Sequence, residues 1–402
     1  MPIHEGRDKQ LFLPMTDARR VLTLVSTIVL VDVMFYSAIT PLLPSYVDDL
    51  DITKSQAGVL AGSYALGTIA ASLPAGWLAA KLGARRVLFA GLMLVAISSV
   101  VFGLGEHYGL LVGARLLQGV GGAGAWAAGL AWLMTVAPKG RRGQYIGTAL
   151  GTAIAGAIGG PVLGALAQLT STEVVFSGVA VIVLVLAALV AATSIGGQAE
   201  PPGRLADAIA ERRVVAGAWL TTLPALFFGT FGVLTPLRLD DFGVGAAGVA
   251  LVFLLAAAAE AVVSPLVGRL SDRRGRLLPV KIGLVGMLVA SFLLPLPDVA
   301  WLLGALVLAA AAIAGTMWAP AMALLSDGAE RSGLPQGMAF GLINLAWGSG
   351  QVGGSAGGAA LADATTDTVP YLVLAVLAAA TLAALLRGVR VLHAPAAGRS
   401  SA

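Results

Sequence analysis

Gly147 to Gly164 reads GTALGTAIAGAIGGPVLG, and the kind of fold open to this chain turns on that stretch. Gly147, Gly151, Gly156, Gly160 and Gly164 punctuate an apolar run without a charge, and Pro161 follows Gly160. In water such a helix would be poor, because each Gly costs about 1 kcal/mol against Ala in a helix interior. In lipid the same residues are useful. Small side chains let two helix backbones approach closely, and neighbouring helices re-satisfy the groups that a proline frees. A generic glycine-packed membrane helix explains any one of these glycines but not the whole spaced set.

Composition agrees. The 402 residues are 58% hydrophobic and 11% charged, whereas soluble domains run near about 25% charged. This is the composition of a polytopic membrane protein. With no Cys, the chain holds neither a disulfide framework, a thiolate metal site nor a Cys nucleophile. The net charge of +4 invites a nucleic-acid reading. The basic residues are distributed by loop, however, not gathered on one face, so no nucleic-acid partner is expected. No signal peptide is apparent, since Arg19-Arg20 leads into an apolar run that continues as a span.

A span needs about 20 largely apolar residues. By that criterion the chain holds twelve, at roughly 20–44, 56–80, 86–104, 108–136, 143–169, 174–195, 214–239, 245–271, 277–296, 300–326, 336–361 and 370–391. Residues 196–213, GGQAEPPGRLADAIAERR, form the longest internal hydrophilic stretch and divide the spans six and six. The expected architecture is therefore an all-α integral membrane protein: a bundle over 1–195, a linker over 196–213 and a second bundle over 214–402.

Lys and Arg give the orientation. Alternate loops, counted from the N-terminus, hold 22 of the 25. The opposite loops hold only Lys54 and Arg238, and Arg115 lies inside a span. By the positive-inside rule both termini face the cytoplasm.

Two repeats support two related halves. Gly76-Trp77-Leu78-Ala79-Ala80-Lys81-Leu82-Gly83 returns 192 residues later as Gly268-Arg269-Leu270-Ser271-Asp272-Arg273-Arg274-Gly275. Gly143, Gly147, Gly160 and Gly164 return 194 residues later as Gly337, Gly341, Gly354 and Gly358. Transporters built from such repeats bind substrate between the halves near the midplane and rock one against the other.

Charges inside spans are few. Asp32 stands near the middle of span 1, with Phe35 and Tyr36 beyond it. Glu260 stands within span 8, Asp327 closes span 10, and Asn344, Trp347 and Gln351 share a face of span 11. Arg115 and Gln118 share a face of span 4. Such groups face the bundle interior and a partner. A midplane carboxylate can attract a cationic substrate and carry a coupling proton, and competition between the two for Asp32 would itself be the coupling. A hydrogen bond to a neighbouring helix accounts for Asp32 or Glu260 more simply, a structural ion pair for Arg115 and solvation for Asp327. Trp126, Trp318 and Trp347 lie within spans and suit either a stacked substrate or plain packing. Trp219 and Trp301 lie near span ends as interfacial anchors.

The spacing of Gly147, Gly156, Gly160-Pro161 and Gly164 resembles the antiporter motif of major facilitator superfamily drug/proton exporters. Arg115 to Gly122, RLLQGVGG, resembles the superfamily's span 4 motif. The loops at Gly76, Gly83 and Arg85 and at Gly268, Asp272, Arg273 and Gly275 resemble its cytoplasmic-loop signature. Asp32, Pro41-x-x-Pro44-x-Tyr46 and Asp327 resemble the branch that holds vesicular monoamine transporters and bacterial multidrug exporters.

The resemblance implies the twelve-helix fold in two bundles, a small-molecule substrate, protons as the coupling ion, no cofactor, no metal and a monomer in the cell membrane. It implies that the loop motif gates the cytoplasmic side and that Asp32 and Asp327 serve substrate and proton. Two positions depart from the pattern. Ala80 replaces the first loop acid, leaving Asp272 to carry that role, although topology-setting charge explains the loop arginines equally well. Asn344 replaces the span 11 acid, so the proton chemistry must differ there.

Other classes fit less well. Gly119 to Gly124 matches G-x-G-x-x-G without a preceding strand, and Gly353 to Gly357 matches a nucleophile elbow without a histidine partner. His4, His107 and His393 all lie outside spans, so no enzyme is expected. The reading is a proton-driven exporter of amphipathic, cationic compounds. A proton-coupled importer of a small metabolite and a non-transporting receptor of the same fold are the alternatives.

Overall fold

The computed structural model describes residues 15–138, 141–195 and 205–388, and every regular element among them is helical. Helix α1 (Met15–Ser37) turns through a 3-10 segment at Thr40–Leu42 into α2 (Leu43–Leu50). Pro41 and Pro44 open those two segments, where a missing N–H costs nothing. Helices α3 (Lys54–Leu82), α4 (Ala84–Gly103), α5 (Tyr108–Val136), α6 (Arg142–Leu169) and α7 (Thr172–Ala192) follow. The short α8 (Leu205–Ala210) lies inside the stretch expected as a linker. Beyond it come α9 (Arg212–Asp241), α10 (Ala246–Arg274), α11 (Leu277–Leu293) and α12 (Ala300–Ala314). The last are α13 (Trp318–Arg331), α14 (Gln336–Val352), α15 (Gly358–Ala364) and α16 (Thr368–Leu386).

Among the described residues, 10 continuous helical runs are long and apolar enough to cross a membrane. Two of these join elements across a bend, α1 with α2 and α12 with α13. The remaining expected spans fall on α11 and on α14 with α15. Helix α11 is apolar but has 17 residues, a rise of about 26 Å against a hydrocarbon core of about 30 Å. Helices α14 and α15 are joined by a π-helical turn at Gly353–Gly357, whose glycines also dilute the hydropathy.

Helix ends follow local chemistry. Thr53 and Gln56 form a reciprocal capping box that starts α3, with Thr53 N donating to Gln56 Oε1 at 2.9 Å. Gly83 and Gly275, the last residues of the two repeated loop motifs, have φ of 90° and 84° with extended ψ. That conformation is nearly closed to residues with a Cβ, so α3 and α10 stop at matching places for one steric reason.

The buried apolar residues form two clusters. One gathers α1, α3, α4, α5 and α7 and also takes in Leu325, Ala329, Met338 and Phe340. The other runs from Leu220 to Ala378. Helix α14 therefore packs into the first half of the chain, and its contact with α3 runs from one end of the bundle to the other. A Cβ on Gly76 would lie 2.7 Å from the Gly337 carbonyl, and one on Gly341 would lie 2.7 Å from the Ser72 carbonyl. Ser355 packs against Gly58 and Gly62 further along. Where α3 begins, Lys54 Nζ pairs with Asp367 at 2.9 Å, and Ser55 N donates to Asp363 Oδ2 at 2.7 Å.

Helix α6 seats on α1 through the glycine stretch. A Cβ at Gly156 would lie 2.5 Å from the Leu30 carbonyl, and one at Gly160 would lie 2.8 Å from that of Met34. Gly164 meets the Ala38 carbonyl and Pro41 in the same way. Gly147 and Gly151 face open space. Gly156→Ala is expected to destabilise the fold by about 1–3 kcal/mol, since backbone cannot turn aside from the new methyl. Gly147→Ala is expected to be neutral or stabilising by up to about 1 kcal/mol. Thermal unfolding of both variants in one detergent checks the difference, and equal losses would exclude seating on these glycines.

Candidate functional site

The close approach of α3 to α5 builds the centre of the molecule. A Cβ on Gly119 would overlap the Tyr64 carbonyl, and one on Gly67 would overlap that of Leu116. With the backbones that near, side chains from α1, α3 and α5 meet in one layer. Asp32, on α1, is 5% exposed. Its Oδ2 accepts hydrogen bonds from Tyr64 Oη at 2.8 Å and Trp126 Nε1 at 2.9 Å. Its Oδ1 is buried without a partner and faces Gly122, where a Cβ would lie 3.0 Å away.

Arg115, on α5, is 1% exposed. It donates to Gln118 Oε1 at 2.8 Å and to the Tyr36 carbonyl at 3.2 Å. Its guanidinium carbon lies 5.2 Å, 5.7 Å and 6.0 Å from the ring centres of Tyr64, Tyr36 and Phe102. Three aromatic faces and two neutral acceptors thus carry the charge. No ion pair between Arg115 and Asp32 is formed among the described residues, so a structural salt bridge does not account for either group.

The second half contributes Trp347, whose ring centre lies 5.3 Å from that of Tyr36 and 6.2 Å from that of Tyr64. Tyr36 and Tyr64 are themselves 4.9 Å apart. Asn344, one turn before Trp347, is buried with Nδ2 unpartnered. The arrangement is a carboxylate with one free oxygen beside a wall of aromatic faces, which is chemistry suited to an organic cation.

Other expected residues stand elsewhere. Trp318 stacks on Phe228 at 5.9 Å, in an aromatic group that includes Phe227, Phe231 and Phe253. The Glu260 side chain lies against Gly315, where the helical run of α12 and α13 is broken. Asp327 pairs with Arg276 at the end of the bundle, both about half exposed. Such a surface pair contributes at most about 1 kcal/mol. Arg85 donates to the Thr193 carbonyl, tying the start of α4 to the end of α7. Arg273 and Gly275 are exposed. Nothing is described of the surroundings of Gly268 or of the Asp272 side chain.

Tyr64 was not among the expected site residues, yet it touches Asp32, Arg115, Tyr36 and Trp347. Its signal was available, because a tyrosine in mid-span must find a partner for its hydroxyl.

The family model described as Major Facilitator Superfamily matches residues 25–335 and, again, 218–401. The MFS-type transporter ppzB of Metarhizium rileyi is 32% identical over 149 residues, covering 36% of this chain and 31% of that protein. The vesicular acetylcholine transporter of Drosophila melanogaster is 30% identical over 200 residues, covering 42% and 35%. The putative multidrug resistance protein MdtD of Salmonella newport is 37% identical over 123 residues, covering 30% and 25%. The chain thus spans about a third or less of the length of these relatives. A bacterial homologue of the human lysosomal transporter Spinster, solved in an inward-facing and occupied conformation, superposes with a TM-score of 0.78 at 16% identity. That likeness covers 96% of this chain and 100% of the other, and it shows the shared fold.

Arg115→Ala strips two buried neutral acceptors of their donor and leaves them unsatisfied, and the expected loss of stability is about 1–3 kcal/mol. Arg115→Lys is expected to recover less than half, since one ammonium cannot reach both acceptors and lie flat on the rings. Thermal unfolding of both variants checks this, and full recovery by Lys would show that charge alone matters.

Proposed function

Because the chain belongs to the Major Facilitator Superfamily, we propose that it is a secondary transporter that exports amphipathic organic cations in exchange for protons. The observation that carries this reading is the free Oδ1 of Asp32, enclosed beside Tyr36, Tyr64, Trp126 and Trp347. Proton and cation compete for that oxygen, and the aromatic faces give the cation its place. Arg115 keeps positive potential nearby, so the empty carboxylate is tolerated between turnovers. Relatives named as a multidrug resistance protein and a vesicular acetylcholine transporter support a cationic cargo.

The proposed architecture is twelve spans in two six-helix units, with both termini cytoplasmic, acting as a monomer in the cell membrane. The alternation of basic loops supports the orientation. The matching ends of α3 and α10 at Gly83 and Gly275 support two related units. Alternating access then needs gates on both faces. Lys54 with Asp367 and Ser55 with Asp363 join the units on the outer face. Gly76 against Gly337 closes the inner face.

In the cycle, the inward-open form with Asp32 deprotonated takes cation from the cytoplasm or inner leaflet, and the units rock. An external proton then displaces the cation, and the protonated carrier returns. Proteoliposomes with an internal pH dye, an imposed gradient and a panel of lipophilic cations test this. Particular cations are expected to dissipate the gradient in the native chain, and Asp32→Asn is expected to reduce the flux at least about tenfold, as loss of a contact worth 1.4 kcal/mol or more would. Proton entry driven by a neutral or anionic metabolite would instead establish symport and overturn the exchange reading.

A further inference from the structure

The second half carries an apolar groove that the central site does not use. Val263, Val267 and Leu270 on α10, Pro279 and Ile282 on α11, and Ala312, Ile313 and Thr316 line a space of about 210 Å³. It lies where two helices are irregular. Pro279 stands in the first turn of α11, and the 3-10 segment Gly315–Met317 interrupts the helical run of α12 and α13. The Thr316 hydroxyl donates to the Ile313 carbonyl at 2.7 Å, which leaves the walls apolar. Val262 and Leu266 beside the groove are well exposed, as are Ile282, Val285, Val289 and Phe292 on α11. The groove therefore opens sideways, toward lipid.

One end of it is basic. Val263, Val267, Leu270 and Arg274 follow one another at steps of four, three and four residues, so they share one face of α10. Arg274 thus stands about 6 Å along the helix beyond the last apolar lining residue. Arg273 precedes it, and both are exposed. Positions 269–281 hold five basic residues and one acid, Asp272. Arg276 is paired with Asp327, whereas no ion pair to Arg273 or Arg274 is formed among the described residues. The matching loop of the first half engages its bases within the protein. There Lys81 lies 4.8 Å from the Trp77 ring centre, and Arg85 donates to the Thr193 carbonyl. Topology-setting charge explains bases in both loops. It does not explain a free pair at the mouth of an apolar groove.

We propose that the groove binds an anionic phospholipid, with one acyl chain lying along Val263 to Leu270 and the headgroup phosphate held by Arg273 and Arg274. The apolar wall rises about 10 Å along α10, and Arg274 follows at the depth where a headgroup begins. Basic clusters where helices leave the membrane recognise such headgroups. A lipid with no net charge brings an ammonium that two adjacent arginines repel, so the anionic lipid is preferred. On the orientation proposed above, it comes from the cytoplasmic leaflet. The inference goes beyond the exchange reading and does not depend on it.

Native mass spectrometry of the full chain in detergent tests this, with dioleoylphosphatidylglycerol and dioleoylphosphatidylcholine added in equal amounts. The native chain is expected to retain the anionic lipid at least about fivefold more often, as one base near an anionic headgroup suffices to give. Arg273→Gln combined with Arg274→Gln is expected to bring the two lipids level. Arg19→Gln combined with Arg20→Gln, an equally exposed pair at the start of α1, is expected to keep the preference. All four arginines are exposed, so these variants fold as the native chain does. Ala312→Phe, which narrows the groove, is expected to lower retention of both lipids. Water-soluble glycerophosphoglycerol is expected not to compete. Equal retention of the two lipids by the native chain overturns the proposal, and so does an equal loss of preference in the two arginine pairs. Competition by glycerophosphoglycerol would show a bare phosphate site and overturn the assignment to a lipid. None of these readings uses transport, so failure of cation and proton exchange leaves them intact.

Discussion

The enclosed charge of Arg115 is the constraint on which the rest of this structure depends. A guanidinium with 1% exposure inside a helix bundle must be held by what surrounds it. Here the holders are Gln118, one carbonyl on α1 and the faces of Tyr36, Tyr64 and Phe102. Those partners lie on α1, α3, α4 and α5, so solvating one cation fixes four helices. The glycines follow from the same need. Rings from α3 reach Arg115 because Gly67 and Gly119 let α3 and α5 come within backbone contact. Because neutral groups carry the charge, the Asp32 carboxylate is left with an oxygen to offer.

Glycine contacts also decide where the chain can move. Helix α14 meets α3 along its whole length through Gly337, Gly341, Gly348 and the region of Ser355. Small residues make most of this seam, and Trp347 meets Tyr64 across it. The seam ends where α3 begins, in a charged pair and a capped helix start, Lys54 with Asp367 and Ser55 with Asp363. Partly exposed ion pairs contribute about 1 kcal/mol or less. They are therefore weak joints and not clamps.

Much of this was legible in the sequence because a membrane enforces simple rules. Length and hydropathy gave most of the spans, and the spacing from Gly147 to Gly164 marked α6 as a packing helix. Three of those glycines do seat on α1, while Gly147 does not. Asp32, Arg115, Gln118 and Trp347 were legible as polar or aromatic groups in apolar spans, and they converge. Tyr64 is hidden by hydropathy alone, because a single aromatic hydroxyl does not interrupt an apolar run. The α11 and α14 spans fell short on length and hydropathy because local breaks, at the π-helical glycines and at a 17-residue helix, are set by tertiary packing. Bends at Thr40–Leu42 and Gly315–Met317 were likewise unreadable, since only the partner helix shows what each bend accommodates.

The two embedded carboxylates differ in what surrounds them. Asp32 receives two hydrogen bonds, has a cation within its layer and borders aromatic faces, so its charged form is supported and its ligand can be an organic ion. Glu260 receives none among the described residues and lies against a helix break. One stands on α1 and the other on α10, so the two embedded acids sit in different surroundings in the two parts of the chain.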